Sequence, residues 1–486
     1  MRFPAQEGSS TGVNHQDSTV EHRAALALLA CFAVVFILQL GPRITAPFGD
    51  SHDGRNGGVW GMAARAVRTH GIVKSRIGAR LETPEGTTRI YAHHPPLITV
   101  ETAALQAVFG ESHLATRGPA WIGSLAVIAL VYAIARNCGA RPLMAACGTV
   151  FGLGTRMFFV FGGMLDTPVV GLPVALAVVL AWQRVTTRHD TRLWPLAAAT
   201  VFAVLAAWEA VLVVAVLLVF SARRRDRRTL AALAASACSA LALALAWIAW
   251  SSGSLRGIAE AFATRAGVGA RHPSAMAVLR AQGLYLSDLV PATVLVLGPI
   301  GAIAALRRPT SRPAVVATLG TPVAYCALLP DGAYFHAYWG YWVIAGLAVS
   351  VAVGTEALVE FLRDRVSRPG MIPYVLVTGA FAAGVLAGLA PSAARLDFER
   401  GAATGRLVHL LRTDGRCTPV ATPTVAPDTW IWYETGAPPC PVRHPPPPGT
   451  RVLVALAQLR SGPSWIRHAR VLGRAEPYAV VEVRHG

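Results

Sequence analysis

Charged residues are scarce in this chain. They make up 14% of its 486 residues, against about 25% in soluble domains, which excludes an ordinary water-soluble globular protein. Acidic residues are scarcer than basic ones, 26 Asp and Glu against 44 Lys and Arg. The formal net charge of +18 could suit a nucleic-acid partner. No recognisable nucleic-acid module accompanies it, and most Arg residues sit in short loops between apolar blocks, so nucleic-acid binding is not expected. Cysteines number seven and form no CxxC pair, which leaves no zinc or dithiol spacing to read. Cys31, Cys138, Cys147, Cys238 and Cys326 lie in or beside apolar blocks, where a free thiol behaves as a small hydrophobe. Cys417 and Cys440 lie in the polar C-terminal region and can pair if it faces an oxidising compartment. A cleavable leader is not expected either. The apolar block Ala24–Leu40 is longer than a signal-peptide core and "GPRITAPFGD" after it is a poor cleavage site, so the block reads as a retained first span.

What the chain has in quantity is hydrocarbon. It is 53% hydrophobic, with a mean hydropathy of +0.47, and its apolar residues come in blocks of roughly 17 to 25, enough to cross a bilayer as helix. A transmembrane β-barrel would show short alternating segments instead. The expected fold class is an all-α polytopic membrane protein of about eleven transmembrane helices, with a large first extracytoplasmic loop and a small C-terminal α/β extracytoplasmic domain. Spans are expected near 24–41, 118–135, 142–160, 167–183, 193–208, 210–222, 229–250, 287–306, 313–329, 337–360 and 371–391. The domains read as a cytoplasmic segment 1–23, a transmembrane domain 24–392 whose first outer loop is 43–97, and a C-terminal domain 393–486.

Arginines orient the threading. Arg136 and Arg141, then Arg184, Arg188 and Arg192, then "ARRRDRR" (222–228), then Arg307, Arg308 and Arg312, then Arg363, Arg365 and Arg368 fall in every second loop. That face is expected to be cytoplasmic, with the N-terminus inside and the C-terminus outside a cytoplasmic membrane. Parity then collects Asp50, His52, Asp53, His93, His94, Asp166, Glu209, Asp331 and His336 on the outer face. Ionisable groups at membrane depth usually face a cavity or a bundle interior. Two plainer readings stand beside that one. Glu209 can be a hairpin tip kept in water, and Asp166 can cap the helix that "TPVVGLP" begins.

The first outer loop opens with "DSHDGRNGGVWG" (50–61) and closes with "YAHHPPL" (91–97). Asp53 or Asn56 is expected to cap a short amphipathic helix through Val59, Met62, Ala63, Ala66 and Val67. "RLETPEGTTRIYAHHPPL" reads as a hairpin-like excursion with a turn at Pro84–Thr87. Pro95 and Pro96 restrict His94 and fix the direction of return to the membrane, and "LITVETAALQAVFG" lies at the surface or partly enters it. HxD is weak as a metal signature, and adjacent His93 and His94 would not converge on one ion from a regular element. A general-base carboxylate is the better reading. A divalent cation is compatible with the sequence but not required by it.

"HDGRNGG", "HHPPL", "FGESHLATRGPAWIGSLAVIALVYAIAR" and "GGMLDTP", in this order and spacing, resemble the superfamily of dolichyl-phosphate-mannose protein mannosyltransferases and lipid-A aminoarabinose transferases, of the GT-C fold. The resemblance covers roughly residues 24–365 and not the tail. It implies a polyprenyl-phosphate-linked sugar as donor and two site acids, matched here by Asp53 in "HDG" and Asp166 in "MLDTP". Asp50 is a neighbour without a clear counterpart. "HPPL" marks His94–Leu97 near the lipid-phosphate site. Arg55 stands where an aromatic residue is expected, and Glu209 where relatives often differ, which leaves the sugar open rather than the chemistry.

The expected function is therefore an inverting glycosyltransferase. It would move a sugar from a polyprenyl phosphate to an acceptor hydroxyl on protein, lipid or glycan, with Asp53 as base. Hexosyl and pentosyl transfer both stay open. Arg55, Lys74, Arg76, His93, His94, Arg265, Arg271 and His336 are the candidates for the departing phosphate. "AYFHAYWGYW" (333–342) is either an interfacial aromatic belt or a sugar platform with His336 on the phosphate. The Pro-rich tail (393–486) reads as helix, strand, loop, strand, strand, with nothing catalytic in it. A transporter or lipid flippase is the alternative, against which stand the absence of an internal repeat and the large first loop.

Overall fold

The computed structural model describes residues 15–484 apart from 83–87, 189–190, 269–272, 364–378, 380–381, 384–385, 412, 414–416, 422–428 and 443. Its long apolar helices bear out the helical class. Helix α1 (His15–Ile44) is followed in the first loop by α2 (His52–Ser75), the strands β1 (Ala79–Glu82) and β2 (Thr88–Tyr91), α3 (Leu97–Phe109) and the single turn α4 (His113–Thr116). The bundle continues with α5 (Gly118–Asn137), α6 (Pro142–Leu153), α7 (Arg156–Phe161), α8 (Thr167–Arg188), α9 (Trp194–Ala206), α10 (Glu209–Arg223) and α11 (Arg227–Ser252). After α12 (Arg256–Arg265) and α13 (Ala275–Leu289) come α14 (Ala292–Arg307), α15 (Arg312–Val315), α16 (Thr321–Leu328), α17 (Pro330–Phe335) and α18 (Tyr341–Arg363).

Among the described residues five helices are long and apolar enough to cross a membrane: Thr19–Ile44, Gly118–Asn137, Thr167–Thr187, Arg227–Ser252 and Ala337–Phe361. A sixth candidate is α13 with α14, bent by 111°. Several expected spans are thus broken. The block 142–160 splits at Gly154 into α6 and α7, and 313–329 passes through a π-helical turn, Val316–Gly320, while the two stretches expected at 193–208 and 210–222 are α9 and α10, parted at Ala207 and Trp208. The span expected at 371–391 lies largely outside the described residues, as do the side chains of Arg363, Arg365 and Arg368. Phe32 and Phe36 of α1 interlock with Phe158 and Phe159 of α7, and Trp182 and Tyr341 are fully buried in the same core.

The loop helix α2 begins earlier than expected. Its cap is Ser51, whose Oγ accepts the Gly54 N–H at 3.1 Å, so Asp53 lies in the first turn and Asn56 on the body of the helix. The hairpin is present as β1 paired antiparallel with β2, while its expected turn at Pro84–Thr87 lies outside the described residues. Pro96 starts α3, its carbonyl accepting from Thr99 and Val100.

The tail folds as a helix, Ala393–Val408, and a five-stranded mixed sheet of order β4-β3-β5-β7-β6. The strands are β3 (Thr418–Val420), β4 (Pro439–Pro441), β5 (Arg451–Ala455), β6 (Arg470–Ala475) and β7 (Tyr478–Glu482). Cys417 and Cys440 form a disulfide. This unit packs against α2. Thr429 Oγ1 donates to the Arg55 carbonyl, the Phe48 N–H donates to Glu434, and the Arg65 guanidinium donates to the Tyr433 carbonyl. Glycines on α2 make the approach feasible, because a Cβ on Gly58 would meet the Thr429 carbonyl carbon at 2.6 Å and one on Gly61 the Tyr433 ring at 2.5 Å.

Candidate active site

Six parts of the chain converge on one cavity of about 160 Å³. Helix α2 contributes Asn56, Val59 and Trp60, the end of the hairpin Tyr91, His93 and His94, and the start of α8 Asp166, Thr167 and Pro168. The α9–α10 break adds Trp208 and Glu209, α12 adds Ala261, Phe262 and Arg265, and the stretch 325–339 adds Tyr325, Leu329, His336, Tyr338 and Trp339. Irregular backbone at membrane depth is tolerated where it lines a cavity, which accounts for the break in the oily stretch 193–222.

Asp166 stands at the N-terminus of α8 and is 6% exposed. Its carbonyl accepts the first helical bonds, from Val169 and Val170 at 3.1 and 3.0 Å. Its side chain turns inward, with Oδ1 accepting from the Thr167 N–H at 2.7 Å and Oδ2 from Asn56 Nδ2 at 2.9 Å. The capping position and a place in the cavity therefore coexist. Burial raises the Asp166 carboxyl to about 6, opposed by hydrogen bonds from Thr167, Tyr338 and Trp60 and by the nearby His52. Glu209, the first residue of α10, is also 6% exposed. Only its own backbone N–H meets its carboxylate among the described residues. It is a buried lining acid and not a hairpin tip in water.

Arg265 is the lone residue with a permanent positive charge among the described lining residues. No carboxylate there pairs with it. Its Nη1 donates to His336 Nε2 at 2.5 Å, and its guanidinium lies 6.0 Å from the Trp339 ring centroid. A guanidinium has donors and no acceptor, so the proton of a neutral His336 sits on Nδ1. That atom is buried without a partner among the described residues. Burial first, then Arg265, pushes His336 down to about 3. Burial, His93 and Arg265 push His94 down to about 3, and burial and Arg265 lower His93. Near neutral pH all three rings are therefore uncharged donors and acceptors.

The remaining expected site residues have other partners. Asp53 is outside the lining. Arg117 Nη2 donates to its Oδ2 at 2.6 Å and Arg117 Nε to its Oδ1 at 3.3 Å. Arg117 also donates to the Ile44 and Ala46 carbonyls and lies over the Phe48 ring. Asp50 accepts from Arg55 at 2.7 Å and from the Tyr478 hydroxyl at 2.9 Å, so Asp50 and Arg55 join the loop to the C-terminal unit. Arg76 reaches the Ser251 carbonyl, and Arg271 lies outside the described residues. Lys74, the chain's one lysine, is exposed on the outer part of α2. His93 and His94 both face the cavity, because the chain there is neither strand nor helix. No group of three or more His, Cys, Asp or Glu able to hold a metal occurs among the described residues. Asn56, Trp60, Tyr91 and Trp208 were not singled out as site residues. For Asn56 and Trp60 a signal existed, since i and i+4 share a helix face.

Beside the cavity runs an apolar groove of about 560 Å³ between α10, α11, α12 and α16. Cavity and groove share Trp208, Phe262, Tyr325 and Leu329. The rest of the groove wall includes Val211, Leu212, Leu241, Leu245, Ile258 and Leu328.

A similar body is known. Over 94% of this chain and 97% of the other, the structure matches ArnT from Cupriavidus metallidurans bound to undecaprenyl phosphate, with a TM-score of 0.61 and 13% identity. The chain has the fold of ArnT. The apo form of that protein matches with a TM-score of 0.60. The oligosaccharyltransferase of Archaeoglobus fulgidus, in its complex with zinc and sulfate, matches with a TM-score of 0.52 and 14% identity over 89% of this chain and 68% of that one. The family model for dolichyl-phosphate-mannose-protein mannosyltransferase matches residues 93–250. That range holds "HHPPL" and "GGMLDTP", so the resemblance carried by these motifs is borne out. No curated protein matches the chain.

Proposed function

We propose that this protein is an inverting glycosyltransferase. It moves a sugar from a polyprenyl-phosphate donor to an acceptor hydroxyl at the outer face of the cytoplasmic membrane, with the N-terminus inside and residues 393–486 outside. The observation that carries the reading is the joint between cavity and groove. A polar cavity with two buried acids and one guanidinium opens through Trp208, Phe262, Tyr325 and Leu329 onto an apolar groove. A molecule with a charged sugar-phosphate head and a long hydrocarbon tail fits both parts at once. The likeness to ArnT bound to undecaprenyl phosphate supports the same donor class.

In the proposed step the acceptor hydroxyl gives its proton to a carboxylate as its oxygen bonds the anomeric carbon. The anomeric carbon–phosphate oxygen bond breaks on the opposite face, and its electron pair leaves with the polyprenyl phosphate. Asp166 is the carboxylate we assign as base. It already faces the cavity, and a pKa of about 6 makes it more basic than an ordinary aspartate while largely ionised at neutral pH. Asp53, the base expected from "HDG", would first have to leave Arg117, and we assign it to holding the start of α2. Arg265 and the His336 Nδ1–H meet the departing phosphate. Glu209, His93 and His94 contact the sugar.

The test is to incubate purified protein in liposomes with radiolabelled polyprenyl-phosphate sugars and an envelope extract as acceptor source. Label transferred to protein, glycan or lipid acceptors supports the reading. Label that crosses the bilayer still attached to its polyprenyl phosphate would make the protein a transporter.

A further inference from the structure

The helix that carries Asn56 and Trp60 into the cavity lines a second recess further along. Met62, Arg65, Ala66, Thr69 and His70 follow the spacing i, i+3, i+4, i+7 and i+8, which places them on one face of α2. With Trp432, from the short helix Thr429–Thr435 of the C-terminal unit, they enclose a cleft of about 210 Å³. Trp430, Ile431 and Tyr433 are buried in the unit, whereas Trp432 is half-buried and gives part of its indole to the cleft. The walls are held in place. Arg65 Nε donates to Glu111 at 2.5 Å and Arg65 Nη2 to the Tyr433 carbonyl at 2.9 Å, and the guanidinium lies over the Tyr433 ring. Met62 is buried in the same core as Trp430 and Tyr433. Thr69 Oγ1 donates to the Arg65 carbonyl at 2.9 Å, which leaves its lone pairs to accept, and His70 is exposed at the rim.

We propose that this cleft binds the glycan chain of a carbohydrate acceptor, with one sugar ring on the Trp432 indole and its hydroxyls toward Arg65, Thr69 and His70. A sugar ring has C–H faces and a hydroxyl edge, which match an aromatic face bordered by polar groups. A lipid tail would leave that polar edge without partners. A peptide would need a sheet edge or a long apolar groove, and no strand residue lines the cleft. The position fits as well. Val59 of the cavity and Ala66 of the cleft are seven residues apart on α2, roughly 10 Å at about 1.5 Å per residue, and an i, i+7 pair shares a helix face. An acceptor a few rings long reaches from the cleft toward Asp166. That the bound glycan is the acceptor rests on the proposed glycosyl transfer, and that the cleft binds glycan does not.

The experiment measures binding of linear mannohexaose, maltohexaose, galactohexaose and arabinohexaose to the full chain in nanodiscs by microscale thermophoresis, then offers the best binder as acceptor in the transfer assay. At least one hexasaccharide is expected to bind the wild type. Trp432→Ala should weaken it roughly threefold to tenfold, and Trp432→Phe should keep most of the affinity. Ala66→Trp fills the cleft with Trp432 kept and should lose the glycan. Trp194→Ala removes an indole that is 71% exposed on α9 and should change nothing. If Trp432→Ala fails to fold, His70→Ala, at an exposed position, carries the same comparison. Unchanged affinity in Trp432→Ala or Ala66→Trp, equal weakening by Trp194→Ala, or no binding of any of the hexasaccharides overturns the proposal. So does a polypeptide that co-purifies with the wild type and not with Trp432→Ala. Glycan binding that needs Trp432 in a protein that transfers no label keeps this site and sinks the transfer reading. Transfer to a hexasaccharide with the same KM in wild type and Trp432→Ala does the reverse.

Discussion

Both carboxylate oxygens of Asp53 are held by the guanidinium of Arg117, at 2.6 and 3.3 Å, with side chains 13% and 3% exposed. The pair ties the first turn of α2 to the segment before α5, and through the Ile44 and Ala46 carbonyls to the end of α1. Removing one partner of such a buried pair leaves the other uncompensated and costs about 3–5 kcal/mol. Asp53→Asn is therefore expected to melt earlier than wild type in detergent, and Asp53→Asn with Arg117→Gln to recover part of the loss. An Asp53→Asn protein with wild-type melting and no transfer would return the role of base to Asp53.

Asp166→Asn should behave in the opposite way. Transfer is expected to fall about 10²- to 10⁴-fold without loss of stability. A base must be ionised, so wild-type kcat/KM should rise with pH through about 6 and then level off, and the variant should lack that limb. The linkage has a definite sign. The folded pKa is raised, so protonated Asp166 favours the fold below its ordinary value of 3.8, and this contribution is lost as pH rises to about 6. At pH 8 the asparagine variant should melt no lower than wild type, which differential scanning fluorimetry checks.

The Arg265–His336 contact makes a prediction that depends on which ring nitrogen carries the proton. Asparagine at 336 can place an N–H near the position of Nδ1, whereas glutamine reaches toward Nε2. His336→Asn should keep more transfer than His336→Gln. Arg265→Ala should lose about 10²- to 10³-fold with either residue at 336. Single-turnover rates at saturating donor separate this from weaker binding.

The parts of this arrangement legible in the sequence were those set by parity and periodicity. Alternate Arg-rich loops brought Asp166, Glu209, His93, His94 and His336 to one face, and the structure has all five lining one cavity. The choice of Asp53 came from a motif, and a motif does not show that Arg117 is 64 residues away in sequence but 2.6 Å away in space. The break at Gly154 was not visible either, because hydropathy averages over a window and one glycine barely lowers it, whereas the charge of Glu209 already divides 193–222 into two spans. Ser51 was passed over as a cap because Asp53 and Asn56 looked equally able. The tail's grip on α2 leaves a sequence trace in glycines such as Gly58 and Gly61, whose purpose needs the facing Thr429 backbone and Tyr433 ring to be seen.

That grip can be loosened without touching the cavity. Gly58→Val puts branched carbon where the Thr429 and Trp430 backbones lie, 2.6 Å from an ideal Cβ. The C-terminal unit must then shift, and Asn56 moves with α2. Transfer should fall while the described bundle keeps its helical circular dichroism. Protease cleavage within residues 393–486 should speed up. Cys417→Ser with Cys440→Ser opens a 23-residue separation, worth about 3 kcal/mol, and should produce the same protease phenotype more mildly.

The groove makes the last prediction. If the polyprenyl tail lies between α10, α11, α12 and α16, bulk placed far from the cavity should discriminate donors by tail length alone. Leu245 and Leu241 line the groove but not the cavity. Leu245→Trp with Leu241→Phe should raise KM for a long polyprenyl-phosphate sugar several-fold, as lost methylene contacts are each worth about 0.8 kcal/mol. A donor with a two-isoprene tail should be unaffected, because its hydrocarbon ends near Trp208 and Phe262. A uniform loss for both donors would mean that the substitutions disturbed α11 itself, and equal KM values for both in the variant and in wild type would place the tail elsewhere.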